Sequence, residues 1–332
     1  MTPQQPTLEM VAAEAGVSRS TVSRVVNGSP KVTPEAVAAV EAAIARLDYV
    51  PNRVARSLAR SRTDVIALLV PEPSSTVFAD PFFASIVRGV STALGETDYT
   101  LSLLIASEQQ AAKTRRFLLG GNVDGALVVS HHAGDDSYLH LGSTVPLVFG
   151  GRPVHPSAAD AHYVDVDNIT AARLATSHLL SLGRRRIATI AGRQDMPAGL
   201  DRLEGWRAAG GDPDLVEVGD FSLESGAAAM ERLLAHAGDA GIDGVFAAND
   251  QMAAGALGVL HAHGLRVPDD VALVGFDDDP YATTTTPQLT TVHQPSSALG
   301  ELLATTLVSL IEGDDVPRAQ YVPTALIRRG SA

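Results

Sequence analysis

The 332-residue sequence predicts two fold classes in one chain: an all-α amino-terminal domain of three short helices, then an α/β body in which strands and helices alternate into doubly wound sheets. Three observations predict it. Over the first fifty positions apolar residues recur at helical spacing, broken by a tight turn, whereas beyond Asp64 short β-branched runs alternate with helical stretches. The charge divides at the same place. Residues 1–62 hold Lys31 and seven arginines against five acids, +3, so a chain total of −13 leaves −16 on the other 270 residues.

In the segment TLEMVAAEAGVSRSTVSRVVNG, Thr7 is placed to cap a first helix whose apolar stripe is Leu8, Val11, Ala12 and Ala15. Gly16 ends it. Val17 follows as a buried plug, and Ser18 caps a second helix running to about Asn27, with Val22 and either Val25 or Val26 facing inward. Thr33 and Pro34 open a third helix with Val37, Val40, Ile44 and Leu47 at helical spacing. The result is a helix-turn-helix pattern on a small three-helix core. On that scaffold the second helix turns Arg19, Ser20, Ser23 and Arg24 outward, where arginine can donate two hydrogen bonds to guanine in the major groove. Ser18, Ser23, Asn27 and Asn52 suit backbone phosphates. A solvated helical face on any three-helix domain is the alternative.

The stretch PNRVARSLARSR, residues 51–62, carries four arginines and no acid. Arg53, Arg56 and Arg60 recur three and four apart on one face, and Val54 and Leu58 lie a turn apart on another. So short a helix is too costly to nucleate alone, but laid over phosphates beside a second copy it could fold, with an apolar side chain wedged into the minor groove. A plain basic linker is the alternative.

In the body, residues 65–70, 99–106, 124–130, 146–151, 185–192, 243–250 and 271–278 read as buried parallel strands, separated by helices near 82–95, 171–182, 224–236, 251–263 and 296–311. Polar residues stand where the strands end: Asn249 and Asp250, Asp277 and Asp278, and Gln294. Ligands of open α/β sheets bind there, and so many hydrogen-bonding groups suit a polyhydroxylated sugar better than an apolar ligand. Phe82, Phe83, Phe221 and Trp206 could stack on a pyranose, although core packing is the competing reading for Trp206 and capping for each acid.

The amino-terminal segment, followed by KVTPEAVAAVEAAIARLDYVPNRVARSLA and an α/β body, resembles the lactose-repressor (LacI/GalR) family of bacterial transcription regulators. The resemblance implies recognition-helix positions at Arg19, Ser20 and Arg24, a hinge helix after YVPN whose Leu58 opens the minor groove, and further DNA contacts from Thr7, Thr33, Asn52, Arg53 and Arg56. It implies domains at 1–50 (helix-turn-helix), 51–62 (hinge) and 63–332, the last a two-lobed effector and dimerisation domain like the sugar-binding periplasmic proteins, crossed three times by the chain. DRLEGW places Arg202 on the sugar, GDF places Phe221, AAND places Asn249 and VGFDD places Asp277. Asp80, Phe82, Phe83, Arg152, Trp206, Asp250 and Gln294 complete the expected ligand set. The phrases ADPFFASIVRGV, FGGRP, YVDVDN and GDFSLESG look most like cellobiose-responsive members, so a β-glucoside or cello-oligosaccharide is the expected effector. After GWRAA the chain lacks a turn or two that relatives carry, which puts the pocket edge beside Trp206 in question.

The expected partners are therefore operator DNA, a sugar and a second copy of the chain, since no heptad tail follows PTALIRRGSA. A purine-type corepressor regulator is the first alternative. A glycosidase is another, and it leaves the first sixty residues unexplained; no GxxxxGK[ST], HExxH or GxSxG occurs, and the pairs His131-His132 and His261-x-His263 read as surface histidines rather than a metal site. No cofactor is expected. No apolar run approaches the roughly 18 residues of a membrane span, the first residues do not read as a secretory signal, and the sequons at Asn27 and Asn168 read as chance, so the expected compartment is the cytoplasm.

Overall fold

The computed structural model describes residues 6–26, 29–49, 62–106, 111–133, 142, 144–154, 160–238 and 241–332, and the chain divides into two compact units, Met1–Asp64 and Val65–Ala332. Asn27 and the expected hinge residues Asn52, Arg53, Arg56 and Leu58 lie outside the described residues.

The first unit holds helices α1 (Leu8–Ala15), α2 (Arg19–Val26) and α3 (Pro34–Leu47). Their ends are set by the expected caps. Thr7 Oγ1 accepts from Met10 N–H, Gly16 closes α1 at φ 67°, Ser18 Oγ accepts from Thr21 N–H at 3.1 Å, and Thr33 precedes Pro34. Val11, Val22 and Val40 are fully enclosed with Ala12, Ala43 and Tyr49 around them, each valine contributing about 1.5–3 kcal/mol relative to exposure. Val17, expected as a buried plug, is half-buried, as are Val25 and Val26, both of which touch the core.

The second unit contains two six-stranded sheets. The first is built from β1 (Val65–Val70), β2 (Thr100–Ile105), β3 (Gly125–Val129), β4 (Leu147–Gly150), β5 (His162–Asp165) and β11 (Ala319–Tyr321), in the order β11-β5-β4-β3-β1-β2. The other takes β6 (Ile187–Ala191), β7 (Val216–Val218), β8 (Gly244–Ala247), β9 (Ala272–Asp277), β10 (Thr290–His293) and β12 (Ala325–Ile327), in the order β12-β10-β9-β8-β6-β7. All pairings are parallel except β10 with β12. The chain passes between the sheets after β5, after β10 and after β11, the three crossings expected.

Helices α4 (Ser74–Ala79), α5 (Pro81–Leu94), α6 (Ala111–Leu119) and α12 (Ser296–Glu312) belong with the first sheet. With the second go α7 (Asn168–Ser181), α8 (Pro197–Ala209), α9 (Leu223–Ala237), α10 (Asp250–Ala262) and α11 (Pro280–Thr284). Leu68 and Leu127 of the first sheet and Phe246 and Phe276 of the second are buried in one core, while Leu69 and Val128 on the first sheet and Ile190 and Val245 on the second pack in two others.

Trp206 corrects an expectation. It is fully enclosed on the inner face of α8 among Leu203 and Ala172, and a Cβ on Gly211 would come within 2.0 Å of its indole, so the short connection after α8 closes over the ring. The altered edge therefore abuts the core and not a pocket. Trp206→Ala lowers the unfolding free energy by about 3–5 kcal/mol, the cost of an aromatic cavity, in urea titrations followed by circular dichroism; a loss below about 1 kcal/mol would contradict the placement.

Candidate functional site

Both sheets repeat one strand order, β2-β1-β3-β4-β5 and β7-β6-β8-β9-β10, so each has a switch point between its first and third strands in sequence, where ligands of such sheets bind. In the second unit the two switch points border one cleft. Glu72 follows β1 and Ser130 follows β3 on one wall, and Arg193 follows β6 and Asn249 follows β8 on the other. Counting the solvent in its open mouth, the space between the cleft walls is about 1090 Å³.

Arg202, on α8, is the centre of the cleft floor and is 4 % exposed. Its Nε donates to Asn168 Oδ1 at 2.9 Å, Nη1 to the Ala248 carbonyl at 2.6 Å and Nη2 to Gln294 Oε1 at 3.0 Å. Asp277 Oδ1 lies 3.5 Å from Nη1, and the guanidinium carbon sits 3.6 Å over the Phe276 ring. Asn168 in turn donates to Asp165 Oδ1 at 3.1 Å. Burial pulls the Arg202 pKa down while Asp277, Asp165, Asp250 and Asp80 pull it up, and a guanidinium so surrounded remains charged. The carboxyls feel the converse. Burial raises Asp80, Asp165 and Asp277, the last most strongly, and Arg202 opposes the rise in each.

The aromatic walls are placed by backbone constraints. Phe221 sits at φ 73°, and its ring lies on Gly192, where a Cβ would come within 2.1 Å of it, so only glycine admits the ring. Asn249 Nδ2 donates to the Phe221 carbonyl at 2.8 Å while its Oδ1 caps α10. Phe82 and Phe83 form an edge-to-face pair with centroids 5.4 Å apart at the start of α5, whose cap is Asp80. Among the residues lining this cleft, Ser130, Phe221 and Asp277 combine a side chain with positive φ, strain that the neighbouring structure must hold in place.

Asp80, Phe82, Phe83, Arg202, Phe221, Asn249, Asp277 and Gln294 thus line the cleft as expected. Three residues do not. Trp206 is core; Asp250 points away, its Oδ1 accepting from Thr291 Oγ1 at 2.7 Å and its Oδ2 from Asp279 N–H at 3.1 Å; and Arg152 pairs with Asp201, Nη2 to Oδ1 at 2.7 Å. Glu72, Thr76, Ser130 and His131 on one side, and Arg193 and Asp220 on the other, line it although none was expected at the ligand, as do Asp165 and Asn168. Asn168 is buried, which accords with a chance sequon. His131 and His132 are buried too, and so are not surface histidines. Among the described residues no three acidic or histidine side chains form a metal-binding group, and no helix is long and apolar enough to cross a membrane.

In the first unit α2 leaves Arg19, Ser20 and Arg24 exposed on one side, with Ser23 half-buried. Arg19 Nη1 lies 3.0 Å from Glu9 Oε1 in an exposed ion pair, weak enough in water to be exchanged for another anion. The Thr7, Ser18 and Thr33 hydroxyls cap helices from positions that remain exposed.

Residues 7–52 match the model of bacterial regulatory proteins of the lacI family, and residues 176–332 match a periplasmic binding protein-like domain. The chain is 48% identical over 329 residues to the HTH-type transcriptional regulator CelR of Thermobifida fusca, 96% of each chain being covered. It belongs to the lacI family. As a lacI-family transcriptional regulator it also resembles the ribose operon repressor of Escherichia coli K12, 37% identical over 98% of this chain and 99% of that one. Among solved structures, a CelR-cellobiose complex is 46% identical with a TM-score of 0.77, covering 99% of this chain and 100% of that one. The lac repressor dimer bound to operator and the anti-inducer ONPF is 28% identical with a TM-score of 0.86, at 99% coverage of both.

One carboxyl beside the regulator's cleft gives a pH test. Burial pushes Asp279, the cap of α11, up to about 6 from its ordinary 3.8, against the Tyr281 N–H it accepts. A carboxyl raised on folding contributes stability that is full below about pH 4 and lost as pH rises through 6. Asp279→Asn keeps the cap and removes the titration. The wild-type minus variant unfolding free energy should fall between pH 4 and 6.5, and a constant difference would contradict the assignment.

Proposed function

We propose that this regulator is a homodimeric repressor whose effector is a neutral β-glucoside such as cellobiose, bound in the Arg202 cleft and weakening operator binding. The observation that carries the reading is the cleft floor itself: a buried guanidinium flanked by amides and carboxylates, in a cleft that Phe221 and Phe82 also line. Paired hydrogen-bonding groups for hydroxyls and an aromatic face for the apolar side of the ring are what a pyranose requires. Five carboxyls (Glu72, Asp80, Asp165, Asp220 and Asp277) against two guanidiniums (Arg193 and Arg202) disfavour a sugar phosphate or nucleotide. The cellobiose-bound relative, similar over nearly the whole chain, points to the same ligand class. Of the eleven residues expected at the ligand, the eight that line the cleft are proposed contacts, and Arg193 and Asp220 join them.

On this reading residues 1–50 recognise the operator, 51–62 act as the hinge and 63–332 take the effector and pair the two copies. Arg19, Ser20 and Arg24 read base edges in the major groove; Thr7, Ser18, Ser23, Asn27, Thr33 and Asn52 position the unit on phosphates; Arg53 and Arg56 hold the hinge and Leu58 wedges the minor groove. The protein is no enzyme and works in the cytoplasm, as suits a chain whose similar relatives are transcriptional regulators.

A thermal-shift screen of cellobiose, longer cello-oligosaccharides, ribose and purines tests the ligand, since a true effector at 100 times its dissociation constant adds about 2.7 kcal/mol of stability. Ribose alone stabilising the protein would overturn the glucoside assignment. Arg24→Ala should relax operator preference by roughly 1–3 kcal/mol at one base pair without changing cellobiose affinity. Arg202→Ala should abolish the cellobiose response while sparing operator binding. Because that variant leaves its carboxylates without a cation, Phe221→Ala is the milder companion, with cellobiose affinity reduced and fold intact. Unchanged operator release by cellobiose in both would contradict the site.

A further inference from the structure

His132 follows β3 in the first lobe and is 8 % exposed. Its Nε2 lies 2.9 Å from Glu72 Oε1, beyond β1 of the same lobe, and its Nδ1 lies 3.1 Å from Asp195 Oδ2, beyond β6 of the other lobe. The backbone makes the same crossing, with Ala133 N–H donating to the Asp195 carbonyl at 2.7 Å. Both ring nitrogens therefore face carboxylate oxygens. A neutral imidazole has one N–H and one lone pair, so it can donate to one carboxylate only and turns its lone pair on the other; the doubly protonated ring donates to both.

The carboxylates are themselves held in place. Glu72 Oε1 also accepts from Ser130 Oγ at 2.8 Å, and Asp195 is gripped by Arg193, Nε to Oδ1 at 3.0 Å and Nη2 to Oδ2 at 2.7 Å. The Arg193 hydrogen bond, with His132 assisting, lowers Asp195 to about 2, so it is ionised across the neutral range. The charged groups facing the ring are Glu72 from the first lobe and Asp195 and Arg193 from the second. The Glu72 hydrogen bond raises the His132 pKa above 6.5, against burial and Arg193. Arg193 is also a wall of the cleft, so whatever fixes Asp195 fixes a cleft cation.

We propose that His132 is a proton-dependent clasp between the lobes: doubly protonated, it joins Glu72 to Asp195, holds Arg193 against the cleft and favours the arrangement that takes the effector. The effector part of this inference rests on reading the cleft as the sugar site. As pH rises through the raised His132 pKa, one donated bond is lost, the lobes part more readily and effector affinity falls. By linkage, effector binding in that range takes up protons.

The chain has no cysteine, so Ser75→Cys on α4 and Glu224→Cys on α9, both exposed and on opposite lobes, can carry a spin-label pair. In the ligand-free full chain, the label distance should lengthen between pH 6 and 8.5, and adding His132→Gln should remove that step. Asp195→Asn, which leaves the Glu72 bond in place, should remove it too and serves if the glutamine variant does not fold. The same step with and without these substitutions, or no step in the labelled parent, overturns the clasp. In calorimetry, cellobiose affinity should weaken several-fold over the same range in the wild type and less than twofold in His132→Gln; equal pH dependence also overturns it. Absence of cellobiose binding at every pH would instead remove the effector assignment, with the label distances still deciding the clasp.

Discussion

One buried guanidinium holds the pivots of the effector body together. Arg202 donates to Asn168, at the chain's first passage between the lobes, and to Gln294, at the second, while a third bond fixes the end of β8. A buried cation deprived of partners would cost several kcal/mol, so the surrounding acids and amides are held in a narrow set of positions. Those positions are the floor of the cleft. A ligand that adds hydrogen bonds there acts on the crossings themselves, and two lobes joined by short crossings can answer by closing about them.

The division of charge gives this closure something to control. The body carries −16 and repels a phosphate backbone, whereas the first 62 residues carry +3 and expose Arg19 and Arg24 on α2. DNA is therefore engaged through a small part of the chain. Within the body the acidic cleft suits an uncharged polyol, and Phe221 and Asp277, both on its walls, hold positive φ that the surrounding structure must fix. The His132 clasp, whose partner Glu72 and neighbour Arg193 line the same cleft, adds a second tie, one sensitive to protons where Arg202 is not.

Much of the architecture was legible because burial leaves a pattern. The valine stripes of the first three helices and the continuous apolar runs of β1, β3 and β9 need no partner to be recognised. The edge strands β7, β11 and β12 and the neighbouring β5 escaped: they are three or four residues long and only partly buried, so their composition resembles loops. At the site, strand ends identified where polar groups gather but not which way they point. Asp250 follows β8 and Asp277 ends β9, yet Asp250 turns to Thr291 and the Asp279 N–H, and a Cβ at Gly275 would come within 2.0 Å of its carboxylate. Asp165 and Asn168 carried a signal in YVDVDN that went unread as chemistry, since an Asp and an Asn before a helix look like ordinary caps. Nothing local marks Glu72, His132 and Asp195 as a set, because 60 and 63 residues separate the partners.

The account turns on occupancy of the Arg202 cleft and occupancy of the operator sharing one free energy. Titrating cellobiose into the dimer alone and into the dimer saturated with operator duplex measures that coupling directly. Cellobiose should bind the operator complex more weakly, by the same factor by which it weakens operator binding, commonly about 1–3 kcal/mol. Identical cellobiose affinity in the two titrations would contradict the account.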